Sequence, residues 1–172
     1  MHHVPAYILL FIALSLVQIF LLNNLVVGSF LCPLIYVAFL ILMRLDTMPI
    51  VMLACGLAMG TLMDLTMGVA GINTIATLLI AFLRPTLIRL VSPREEWRDD
   101  GIPSPERIGT SLFWSYLVVM VLLHHTVFFT LEALSWGHLL RTVARILTSS
   151  AATILLVWLT ERLFTAKISA RA

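Results

Sequence analysis

Four ionisable side chains stand inside long apolar runs: Asp64, His124, His125 and Glu132. In a membrane such groups are expensive and mark ion paths, ligands or contacts between helices. His125 and Glu132 are seven residues apart and share one helical face. Together with Asp64 they are the set from which a metal or proton site would be built. The spacing matches no ligand motif, and the chain lacks HExxH, CxxC, a phosphate loop and any Ser-His-Asp order. The plain alternative is hydrogen bonding between helices. Asp64 itself has three readings: packing or capping, contact with an ion or substrate, and contact with a partner. No catalytic residue, metal or cofactor is expected, and the chain reads as a non-enzyme.

Arg141 and Arg145 form an i, i+4 pair just after Glu132. A short hairpin would bring one of them beside that carboxylate, giving a charge pair at the membrane interface. Asn73, Thr74 and Thr77 in one run, and Ser149, Ser150 and Thr153 in another, are small and hydroxyl residues of the kind that hold helices together. Cys32 and Cys55 lack metal or redox spacing and read as packing residues.

Gly56, Gly60, Asp64 and Gly68 recur every fourth residue, and Gly71 follows three later. At 3.6 residues per turn this is a single helical stripe. Glycines so placed let a second backbone approach closely, as helices must where lipid offers no hydrophobic contrast. The stripe reads as a helix-packing or partner-contact surface.

The elements that would carry these residues follow from hydropathy. The chain has 172 residues, of which 12% are charged, and a mean hydropathy of +1.03. That composition excludes an ordinary soluble domain and points to one all-α, polytopic membrane domain. The net charge of +2 gives no reason to expect nucleic acid. The first apolar run, Val4 to Leu22, is too long for a typical signal core and lacks a basic leader, so it reads as a retained span. Six spans are expected, at about 5–27, 30–45, 49–66, 70–90, 110–133 and 142–163. Pro33 suits the first turn of the second. No Lys or Arg occurs from Ile50 to Leu83, and one helix of that length would run about 50 Å against a core of about 30 Å. Gly68 and Gly71 therefore supply a turn as well.

With both termini cytoplasmic, Arg44, Arg84, Arg89, Arg94, Arg98, Arg107, Arg162, Lys167 and Arg171 lie inside, and Arg141 and Arg145 outside. This is the sense of the positive-inside rule. The 92–108 segment, with Trp97, three prolines and mixed charge, reads as an irregular cytoplasmic loop, either a connector or a docking site.

The run from Gly56 through Asp64 to Gly71-Ile72-Asn73-Thr74 resembles the central hairpin of the MreD family of rod shape-determining membrane proteins. The likeness continues through Ala81-Phe82-Leu83-Arg84-Pro85 and Leu90-Val91-Ser92-Pro93-Arg94-Glu95. It resumes at Leu122-Leu123-His124-His125, Phe128-Phe129-x-Leu131-Glu132 and Arg145-Ile146-Leu147, while Pro33-x2-Tyr36-Val37-x-Phe39 is similar to the family's second span. It looks most like the Bacteroidetes-type version. Arg44 and Asp46 depart from the pattern by interrupting the approach to Pro49. The resemblance implies a non-enzymatic scaffold of the cell-wall elongation machinery in the bacterial inner membrane. It would work beside MreC, the SEDS glycosyltransferase RodA, a class B penicillin-binding transpeptidase and MreB filaments, with membrane lipid around it. It also implies a fold similar to the substrate-binding subunits of energy-coupling-factor vitamin transporters. Such a subunit is the rival reading, with Asp64, Asn73, His125 and Glu132 lining a small-molecule pocket.

Overall fold

The computed structural model describes residues 4–24, 31–91, 101–134 and 139–169. Trp97 and the rest of 92–100 lie outside these, as does Arg171. The described chain is helical. Helix α1 is Val4–Leu16, continued by a π turn (Val17–Leu21) and a 3-10 turn (Leu22–Asn24). A 3-10 turn, Ile35–Val37, leads into the one-turn helix α2, Ala38–Ile41. Then follow α3 (Pro49–Met67), α4 (Ile72–Val91), α5 (Pro105–Ile108), α6 (Thr110–Ala133) and α7 (Leu139–Ser169). Five of the helical stretches are long and apolar enough to cross a membrane: 4–24, 49–67, 72–90, 110–133 and 139–165.

The segment expected as the second span, 30–45, is not a helix of membrane length. Residues 31–34 have no regular secondary structure, so Pro33 precedes the helical turns and does not open them. Proline has no N–H to give a helix, and it biases the preceding Cys32 away from helical geometry. From Leu34 to Met43 every residue is buried, so the apolarity that suggested a lipid-facing span is met by protein.

Helices α3 and α4 make the most extensive contact, followed by α4 with α6 and α6 with α7. Tyr36 bonds Asn73 near the start of α4 and His124 in the C-terminal half of α6, while Arg84 near the end of α4 bonds Tyr116 near the start of α6. The two helices are therefore antiparallel. The bundle has an Asp64 end, holding the α3–α4 turn, and an Arg84 end. Residues 31–45 run between them: Pro33 lies beside Gln18, and Leu42 beside Tyr7 at the other end of α1.

Pro49 occupies the first turn of α3, where its missing N–H costs nothing. The helix stops at Gly68, whose φ of 67° few side chains tolerate, and Gly71, at φ 80°, completes the turn into α4. A Cβ on either would meet nothing within 4 Å. Within the described chain these two glycines make the turn and pack against no neighbouring helix, so the stripe is not a continuous surface of contact between α3 and α4. Gly56 and Gly60 do form it. A Cβ on Gly56 would lie 3.2 Å from Ala81 Cβ, and one on Gly60 would lie 2.5 Å from Thr74 Cα.

Of the 92–108 segment, residues 101–108 are described, and they are not an open loop. Its described portion packs: Pro103, Ser104 and Ile108 are buried, and Gly101 accepts a hydrogen bond from Leu45 N–H at 2.9 Å.

Candidate functional site

Asp64 sits on the last turn of α3 and faces the start of α4. Its Oδ1 accepts from Asn73 N–H (2.8 Å) and Asn73 Nδ2 (3.0 Å), and its Oδ2 from Thr74 N–H (3.0 Å) and Thr74 Oγ1 (2.5 Å). The first N–H groups of a helix have no partner within it. Here a carboxylate from the preceding helix supplies one, at the helix end its charge favours. Thr77 Oγ1 lies 2.9 Å from the Gly56 carbonyl and joins the same two helices below the cap.

The proton positions follow from the bonds. Asn73 Nδ2 donates to Asp64, so its Oδ1 faces Tyr36 and accepts from the phenol at 2.6 Å. A phenol has one hydrogen, so the Tyr36 oxygen accepts from His124 Nε2–H at 3.1 Å. The connection is Asp64, Asn73, Tyr36, His124, with each hydrogen pointing towards the carboxylate. His124 Nδ1 is left buried without a partner among the described residues.

His125 belongs to a different contact. Its Nδ1–H donates to the Val121 carbonyl (3.0 Å), so Nε2 is bare and accepts from Thr153 Oγ1 (3.1 Å). The Thr153 oxygen in turn accepts from Leu34 N–H at 3.0 Å. Ser149 Oγ accepts from Cys32 N–H (3.0 Å), and Gln18 Oε1 from Ile35 N–H (2.8 Å). Non-helical backbone at membrane depth is tolerated only where protein satisfies it. These three side chains, from α7 and the π turn after α1, take the three amides around Pro33.

At the other end of this segment the carbonyls are bound. Arg84 Nε donates to Tyr116 Oη (2.8 Å), and its terminal nitrogens donate to the Arg44 and Met43 carbonyls. The Tyr116 hydroxyl donates to the Ile41 carbonyl (3.1 Å), and Tyr7 to that of Leu42 (3.3 Å). The Met43 and Arg44 carbonyls lie beyond the one-turn helix α2 and have no helical partner, so a buried guanidinium with several N–H groups suits them.

Glu132 pairs with Arg145, at 2.7 Å from Nη1 and 3.2 Å from Nη2, and the guanidinium lies 4.6 Å from the Phe129 ring centre. Arg145 is the partner across the α6–α7 hairpin. Its side chain is 25% exposed and that of Glu132 34%, so the pair is only partly desolvated. Glu132→Gln is expected to lower stability by about 1 kcal/mol, and adding Arg145→Gln to recover part of that in thermal unfolding in detergent. Additive losses would exclude the coupling.

Asp64, His124, His125 and Glu132 thus do not form one site. Asp64 and His124 are linked through Asn73 and Tyr36, while His125 and Glu132 are engaged elsewhere, and among the described residues no three His, Cys, Asp or Glu side chains converge as metal ligands. Ser150 Oγ, assigned with Ser149 and Thr153 to helix packing, has no hydrogen-bond partner among the described residues. Cys32 and Cys55 are free thiols, both half-buried. Sequence reasoning missed Gln18, Tyr36, Arg84 and Tyr116 as members of the polar framework. Gln18 carried a signal, being a lone amide inside an apolar run; the others gain their meaning only from the segment they hold.

The described residues form an all-helical protein with five helices long and apolar enough to cross a membrane, in which many buried polar side chains bind the chain's own backbone. Compared with family models, curated proteins and solved structures, the chain matches none.

Proposed function

We propose that this chain is an MreD-type scaffold of the cell-wall elongation machinery in the bacterial inner membrane. It binds MreC and helps to maintain rod shape beside RodA, a class B transpeptidase and MreB. The observation that carries this reading is the ordered motif Gly56-x3-Gly60-x3-Asp64-x3-Gly68-x2-Gly71-Ile72-Asn73-Thr74. Its residues all act in one rigid hairpin, the glycines as contact and turn and the carboxylate as cap. In this reading the chain crosses six times, residues 31–45 making the second pass inside protein, and both termini and the Arg84 end are cytoplasmic.

The vitamin-transporter reading has less support. The groups it needs around a pocket, Asp64, Asn73, His125 and Glu132, are bound to Thr74, Tyr36, Thr153 and Arg145. The test is co-purification from native membranes in mild detergent, combined with depletion in the cell. MreC and its associates should be recovered, and depleted cells should lose rod shape. Recovery of a pair of ATPases, with normal shape on depletion, would favour the transporter.

A further inference from the structure

The Arg84 end carries a cleft of about 200 Å³ between α3 and α4, lined by Thr47, Pro49, Met52, Arg84, Ile88 and Arg89. Its walls combine apolar side chains with two cations. Arg84 is buried, and its partners are a phenol and two carbonyls, all neutral. A guanidinium has five N–H groups, so these bonds leave donors unused. Arg89 is exposed, and its Nε turns back to the Pro85 carbonyl at 3.2 Å. The nearby carboxylate, Asp46, is held by Arg44 through two 2.8 Å bonds, which keep its carboxyl below the usual range. The acid is matched by its own arginine, and among the described residues the cleft keeps a positive excess.

We infer that this cleft holds the headgroup phosphate of an anionic phospholipid. Charge complementarity supplies the phosphate. Exposed apolar side chains next in sequence to the lining residues favour a lipid over free phosphate: Met48, Ile50 and Leu90 are 69%, 71% and 80% exposed. In helices of membrane length, acyl chains are the natural cover for such side chains. Under the proposed orientation this is the cytoplasmic leaflet, where basic residues meet anionic lipid, but the inference does not depend on the scaffold reading.

The test is native mass spectrometry of the full chain in detergent, titrated separately with phosphatidylglycerol, phosphatidylethanolamine and inorganic phosphate. Phosphatidylglycerol should bind at least about fivefold more tightly than phosphatidylethanolamine, about the effect of one arginine near a charged surface. Arg89→Gln should remove most of that preference. This variant spares the fold, because the side chain is exposed and bonds only its own helix. Arg162→Gln, which removes another exposed arginine, paired with Glu106, should leave the preference intact. Equal retention of the two lipids, or a preference that survives Arg89→Gln, would overturn the proposal. So would displacement of phosphatidylglycerol by inorganic phosphate at equal concentration, which would mark a free-anion site.

Discussion

Gly60→Leu is expected to be the most damaging single substitution in the α3–α4 hairpin, and Gly60→Ala to share much of its effect. A Cβ at this position would fall 2.5 Å from Thr74 Cα and 2.9 Å from Thr74 N. Those are backbone atoms and cannot rotate aside, so the helices must separate. Overpacking costs about 1–3 kcal/mol, and Leu should reach the upper end of that range. Separation would also pull Thr74 from Asp64 and Thr77 from the Gly56 carbonyl. Gly56→Ala should be milder, since its nearest contacts are 3.2 Å and 3.3 Å away. At Gly68 an added side chain has room but meets a φ of 67°, a strain of about 1–2 kcal/mol. Leu65→Phe, at a position 78% exposed, should be nearly silent. Thermal unfolding in detergent and accumulation in membranes measure the series. A Gly60→Ala protein as stable as the parent would show that the two helices are not in contact there.

Asp64→Asn is expected to destabilise the protein by about 1–3 kcal/mol, the cost of leaving a buried donor unsatisfied. From the sequence this change looks mild, because an amide has the size of a carboxylate. The structure reverses that expectation, because both carboxylate oxygens accept, each from two donors. An amide offers one oxygen, and its NH2 would face N–H groups of either Asn73 or Thr74. The Thr74 hydroxyl can turn to accept, but a backbone N–H cannot. Asp64→Ala should cost more, since all four bonds go. A readout of unfolding temperature together with cell shape separates a cap from an ion site. A cap predicts loss of folded protein first; an Asp64→Asn protein that accumulates normally yet fails in function would identify a site that needs the charge itself.

The same residues show why His124 and His125, adjacent in sequence, have separate roles. Side chains on successive positions of a helix point about 100° apart. One therefore meets Tyr36 and the other Thr153. Helical spacing could place His125 and Glu132 on a common face, but it could not say which neighbouring helix each would meet. Arg145 rather than Asp64 completes the environment of Glu132.

Local sequence determined the apolar lengths of α3, α4, α6 and the first stretch, because 3.6-residue geometry and the cost of unpaired backbone in lipid leave little else for such runs. It also determined the turn at Gly68 and Gly71, where positive φ calls for glycine, and the meeting of α6 with α7 across a short hairpin. Tertiary structure alone decided the fate of residues 31–45. Hydropathy records that a segment avoids water but does not distinguish lipid from protein as its surroundings. The non-helical stretch around Pro33 is stable because Gln18, Ser149 and Thr153, up to 119 positions away, take its amides. The carbonyls at its far end are held by Arg84 and Tyr116. Each of these side chains reads alone as an expensive polar group in an apolar run. Only the folded chain shows the backbone group that each one satisfies.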